Sequence, residues 1–278
     1  QEEFKRILFS KAKTEHEKQI AGNFTRKINQ QILPGLKKTD RCTSCHLGSD
    51  NLNLVEEKIP YKTHSGSYLL HHPPDQYGCT VCHGGQGSAL NKKEAHARVE
   101  AIDWGYPLLT SNRMISNCGK CHLTVFNDFL PDADMAGLQM GLSVFKNRGC
   151  MGCHKVRGLG GLNGPDLTDQ GRKQKKQYYF EFVEGDKSIY TWLKEHFMDP
   201  GKISPGSKMF RFNFSEQQID TLTTFLLGLF KPDLPITYYS IEALNEFKGS
   251  RAKIDGKSGY ISFCSACHGS TGKGRDYK

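Results

Sequence analysis

Apolar side chains recur at three- and four-residue steps in separate stretches of this chain, and each such stretch predicts a helix. Within residues 1–40 they are Phe4, Ile7 and Leu8, then Ile20, Phe24, Ile28 and Ile32, with Lys and Glu between them, until Pro34-Gly35 ends the segment. Gly141-Leu-Ser-Val-Phe145 predicts a second helix and the amphipathic run Ser188–Phe197 a third. Ser215 then N-caps a last helix with Ile219, Leu222, Phe225, Leu226 and Leu229 on one face, while Glu216 falls short of the capping-box spacing. Residues 41–130 show no such period and are rich in Gly, Pro and polar residues. The pattern predicts a mainly α chain with extensive irregular loops. It divides into a helical segment 1–40, a loop-rich domain 41–130, a helical domain 131–231 and a final segment 232–278, the last marked off by Pro232 and Pro235.

Chemistry enters with the cysteines. All ten belong to five repeats of Cys-x-x-Cys-His: Cys42, Cys45, His46; Cys79, Cys82, His83; Cys118, Cys121, His122; Cys150, Cys153, His154; and Cys264, Cys267, His268. Each repeat reads as a covalent haem c site, two thiols adding to the haem vinyl groups and the histidine becoming the proximal axial ligand. A zinc ribbon would need four converging thiolates and no histidine at that offset. Disulfides would leave the histidines unexplained. The expected cofactors are five covalently bound haem c groups.

Five haems change the meaning of the composition. Over 278 residues, 37% hydrophobic content and a mean hydropathy of −0.57 are lean for a side-chain core, and the macrocycles supply the missing apolar bulk. The formal charge of +9 falls to roughly +4 once each oxidised haem contributes about −1 through its propionates. Much of the Lys and Arg excess is therefore propionate compensation, which leaves room for a basic docking face and argues against nucleic acid as a partner.

Residues 41–130 hold three attachment sites in so little chain that the haems must form the core and lie close together. The same segment carries His64, His71, His72 and His96 outside the motifs. Distal ligation is expected from His64, His72 and His96, with His71 set aside because Pro73 rigidifies the backbone after His72. His16, among charged neighbours, is expected at the surface.

Asp40-Arg-Cys-Thr-Ser-Cys-His46, Tyr61-Lys-Thr-His64, His72-Pro-Pro-Asp-Gln-Tyr-Gly-Cys79 through Gly87, Ala95-His96, Pro107-Leu-Leu109 and Asn117-Cys-Gly-Lys-Cys-His122 resemble a family of membrane-associated multihaem c-type cytochromes of bacterial respiratory chains, often found beside cytochrome b-type quinol-oxidising subunits. The resemblance spans roughly residues 1–125 and implies three low-potential haems in an electron carrier. Residues 131–231 resemble a class I cytochrome c. That likeness implies a Gly164-Pro165 carbonyl orienting the proximal His154, and Met209 in Ser204-Pro-Gly-Ser-Lys-Met209 as sixth ligand. Met114, Met135, Met140, Met151 and Met198 read as core filler, and His196 as a surface residue. Gly256-Lys-Ser-Gly-Tyr260 before Cys264 looks like the start of a second class I domain, cut short because ten residues follow His268. Further polypeptide is expected beyond Lys278, and a removed segment, including an anchor, before Gln1.

Met in place of a second His raises a haem potential. Electrons are therefore expected to run from the N-terminal haems towards the Met209 haem, from a quinol-linked cytochrome b-type membrane subunit to a downstream cytochrome. The chain is expected to transfer electrons within a complex of several subunits rather than to act as an enzyme on its own. Thioether attachment places it on the periplasmic or extracellular side of a bacterial membrane. A multihaem reductase with an open iron and a subunit of an extracellular cytochrome filament are the alternatives.

Overall fold

The computed structural model describes residues 1–97, 105–109, 111–122, 135–239 and 255–274. Residues 240–254, part of the expected final domain, lie outside the described residues. The chain falls into two compact units, one of residues 1–102 with 106–108 and one of residues 103–105 with 109–278. The described residues are mainly α, with two short hairpins and long irregular connections. No helix of the described residues is long and apolar enough to cross a membrane.

The first unit opens with α1 (Glu2–Lys11) and α2 (Glu15–Asn23). Thr14 and Glu17 form a capping box at the start of α2, each satisfying a backbone N–H of the other. Phe4 is buried against Phe24 and Tyr61, with ring centroids 5.5 and 5.7 Å away. The expected helical segment does not extend to residue 40. Residues 31–40 form an antiparallel hairpin, β1 (Gln31–Leu33) against β2 (Lys38–Asp40), in the register Ile32 to Thr39. Pro34 and Gly35 turn the chain back, with Lys37 in the left-handed region (φ 51°), so Ile28 and Ile32 point to solvent instead of extending a helical stripe. The hairpin delivers Asp40 and Arg41 to the first attachment motif, where the Arg41 N–H donates to the Gly87 carbonyl at 2.8 Å. Short helices α3 (Tyr68–His71), α4 (Pro74–Tyr77), α5 (Thr80–His83) and α6 (Lys92–Ala95) complete the unit.

The second unit begins with the short α7 (Ser111–Met114) and is built on α8 (Ala136–Asn147) crossing α11 (Glu216–Leu227). Leu138, Leu142, Phe145, Leu222, Phe225 and Leu229 form its core. The helices meet at Gly141, where an added Cβ would stand 2.1 Å from the Thr221 carbonyl oxygen. α9 (Ile189–Met198) and α10 (Pro200–Ile203) lead to the Met209 loop. Ser215 does cap α11, and Gln218 rather than Glu216 completes its capping box. A small hairpin, β3 (Lys155–Val156) with β4 (Leu159–Gly160), follows the fourth motif. The expected grouping of three motifs within 41–130 is divided in the structure. The third motif belongs to the second unit, because Gly119 packs on the end of α11 so closely that a Cβ would stand 2.0 Å from the Gly228 carbonyl oxygen. Around the fifth motif, α12 (Gly256–Gly259) continues through one π-turn segment (Tyr260–Cys264) into α13 (Ser265–His268).

Candidate haem sites

Each of the first four motifs closes a tight turn in which the histidine N–H reaches the carbonyl of the first cysteine, at 2.9 Å for His46, 3.0 Å for His83, 2.8 Å for His122 and 2.9 Å for His154. The repeated sequence thus makes a repeated local geometry. None of the ten cysteines is in a disulfide. Among the described residues the one cluster of three potential metal donors is Asp40, Cys42 and Cys79, so no four-thiolate zinc site forms there.

In the first unit the first two motifs meet. Their leading thiols, Cys42 and Cys79, interact directly, and that contact, with burial and the nearby Asp40 carboxylate, pushes the Cys42 thiol far up. His96, at the end of α6, stands opposite His46 with ring centroids 6.2 Å apart. His64 stands opposite His83 at 5.9 Å, the rings nearly perpendicular at 88°. A metal–imidazole bond is about 2 Å long and each ring centre lies about 1 Å beyond its nitrogen, so two imidazoles on one metal place their centroids about 6 Å apart. Both pairs therefore fit a single haem iron between them. Burial, then the facing imidazole, holds His46 and His83 below the usual histidine range. His64 keeps its ring oriented through Nδ1, 2.8 Å from the Ser65 carbonyl oxygen.

The other expected distal ligand, His72, lies elsewhere. Its Nδ1 is 3.2 Å from the Tyr68 carbonyl oxygen and its ring packs edge-on to Tyr77 at 5.3 Å. His71 and His16 are exposed.

In the second unit His154 donates from Nδ1 to the Pro165 carbonyl at 3.0 Å. Gly164 lies under the ring so closely that a Cβ would stand 2.6 Å from it. The hydrogen bond fixes the tautomer and points Nε2 away from the loop, as a proximal ligand requires. Met209 packs half-buried on the core, its N–H donating to Ser207 Oγ at 3.2 Å. His196 is not the surface residue expected from the sequence. It stacks on Trp192 (4.6 Å, 11°), and burial, then the nearby charge of His154, pushes it down to about 4. It lies half-buried beside the inward face of α9, which is formed by Leu193 and Phe197. The fourth and fifth motifs also meet. Cys153 and Cys267 interact, and a Cβ on Gly149 or Gly152 would stand 2.5 Å from the Ala266 nitrogen or 2.4 Å from the Phe263 oxygen. His122 closes its motif turn half-buried, whereas His268 is exposed at the end of α13.

Asp40 and His196 stand near these sites, although the sequence pattern gives neither of them a role there. Asp40 is visible as an acidic residue two before Cys42, but its burial depends on the hairpin. The signal for His196 is its place one helical turn after Trp192.

Residues 138–230 match the family described as Cytochrome c. Over 90 residues the chain is 30% identical to cytochrome c oxidase subunit 2 of Alkalihalophilus pseudofirmus, covering 32% of this chain and 25% of that protein. Over 94 residues it is 30% identical to the C subunit of nitric oxide reductase of Stutzerimonas stutzeri, covering 34% of this chain and 58% of the relative. The chain thus spans a quarter of the first curated relative's length and somewhat over half of the second's. No solved structure matches it. The matched stretch is the domain of α8 to α11, with Cys150, Cys153 and His154 at its attachment turn and a carbonyl holding the proximal imidazole. Residues 138–230 are therefore similar to a cytochrome c domain, in which Cys150, Cys153 and His154 would hold a covalently bound haem c.

Proposed function

We propose that the chain is a five-haem electron carrier that moves electrons from a low-potential, quinol-linked donor towards a higher-potential acceptor. The domain match supports electron transfer by a c-type cytochrome; the number of haems and the direction are the further reading. The observation that carries it is the pairing of His46 with His96 and of His64 with His83 at the spacing of two ligands on one iron. Haem, when bound, supplies one-electron exchange at its iron. The chain's own part is to hold and tune that group. Cys42 and Cys45, and their counterparts in the other four motifs, tether it. His46, His83, His122, His154 and His268 serve as proximal ligands. His96 and His64 close the first two sites and Met209 the fourth, while His72 is the distal ligand left for another iron. Pro165 fixes the His154 ring, and Trp192 with His196 covers the same side of the fourth site against water.

Two-histidine ligation sets a lower potential than His/Met ligation, which supports flow from the first unit to the Met209 site. The relatives are named as subunits of larger enzymes, which supports a place in a complex of several subunits, with a cytochrome b-type membrane protein upstream and another cytochrome downstream. The thioether chemistry supports a periplasmic or extracellular location.

Mass spectrometry of the denatured chain, with low-temperature EPR during a redox titration, tests this. The expected result is five haems, low-spin bis-histidine and His/Met signals, and the His/Met haem reduced at the highest potential. Fewer haems, or a stoichiometric high-spin signal that shifts with nitrite or cyanide, would replace this reading with that of a reductase.

A further inference from the structure

Asp40 is fully buried, and a carboxylate is removed from water only where other groups replace its hydration. Its Oδ1 accepts the Cys42 N–H at 3.0 Å, and its Oδ2 accepts the Cys79 and Thr80 N–H groups at 2.8 and 2.9 Å. One side chain thus ties the first attachment motif to the second, whose Cys79 lies 39 residues after Asp40. The carboxylate oxygen and the Cys42 and Cys79 sulfurs all lie within 4.8 Å of one another. Close approach is built into the neighbours. Gly78, at φ +67°, would place a Cβ 3.0 Å from Asp40 Oδ2, and Gly87 would place one 3.3 Å from Asp40 Cα. Burial alone would raise the Asp40 carboxyl, but the N–H groups of Thr80, Cys42 and Cys79 outweigh it and keep the group ionised. Lys38, two residues earlier, is the nearby cation. Burial pulls its amine down and Asp40 holds it up.

A turn that merely needed capping could use one N–H and an exposed side chain. Here a full negative charge is held dry beside the Cys42 and Cys79 sulfurs of two sites. An anion in a low-dielectric setting stabilises the more positive, oxidised state of whatever lies next to it.

We infer that Asp40 is a positioning residue shared by the first two haems: it locks the Cys42–Cys79 junction, and its charge lowers both potentials together. This rests on the five-haem reading.

The test is an EPR-monitored redox titration of the full chain carrying Asp40→Asn, with haem content counted by mass. The signals of the first and second haems are assigned by their change in His96→Ala and His64→Ala. Both midpoints are expected to rise by about 59 mV, a tenfold shift in the ratio of reduced to oxidised haem. The His/Met haem, attached in the other unit, serves as reference. Lys38→Met removes the compensating cation and is expected to lower the same two midpoints, which keeps the inference open to test if Asp40→Asn does not fold. Unchanged midpoints in a fully loaded variant, or a change confined to one haem, would overturn the shared role. A wild-type chain lacking haem on the Cys42 or Cys79 peptide would instead overturn the five-haem reading, and the inference with it.

Discussion

His64 and His96 reach their partner imidazoles from a loop and from the end of a four-residue helix, so neither is set by a long repeating element. Each is placed by a few local bonds. His96 donates its backbone N–H to the Lys92 carbonyl at 3.0 Å, and His64 donates its own to the Ser49 carbonyl at 2.9 Å. The sequence supplied both residues as ligand candidates but also offered His72, which the fold sets against Tyr77. What matters is which imidazole crosses to a proximal ring, and that is a tertiary property. His64→Ala is expected to leave the haem at Cys79 and Cys82 attached but five-coordinate. A low-temperature EPR spectrum should then lose one low-spin signal and gain one high-spin ferric signal. An unaltered spectrum would take His64 out of the ligand set.

At the level of elements, the apolar periodicity of α8, α9 and α11 was readable because each buries a face against the same core. The segment before residue 40 misled because its apolar residues satisfy a helical step while the Pro34-Gly35 turn imposes a hairpin. The contact between α8 and α11 depends on one missing side chain. At Gly141 the neighbours are the backbone carbonyl of Thr221 and the Phe225 Cβ at 2.5 Å, neither of which can swing aside. Gly141→Leu is expected to destabilise the domain by about 1–3 kcal/mol or more. Denaturant unfolding of the haem-loaded chain, followed by circular dichroism, should show a lower midpoint with the same slope. Equal midpoints would mean that the helices can separate without loss.

Over the whole molecule, charge and cofactor are linked. With the five oxidised haems proposed above, the formal +9 of the polypeptide would become roughly +4, still positive. Electron exchange with anionic mediators is therefore expected to slow as salt rises and the Debye length shrinks from about 10 Å at 0.1 M. Stopped-flow rates with anionic and cationic mediators check this, and equal salt dependence for both would remove the electrostatic contribution. The sequence by itself determined the turn that each Cys-x-x-Cys-His makes, because its bonds all lie within five residues. It also determined the cytochrome c domain, whose helices, proline carbonyl and methionine loop follow one another in order. Only the tertiary structure decided which motifs meet and which histidines face each other. It alone buried Asp40 between two motifs. Those outcomes depend on contacts between residues tens of positions apart, and composition, period and spacing carry no record of such contacts.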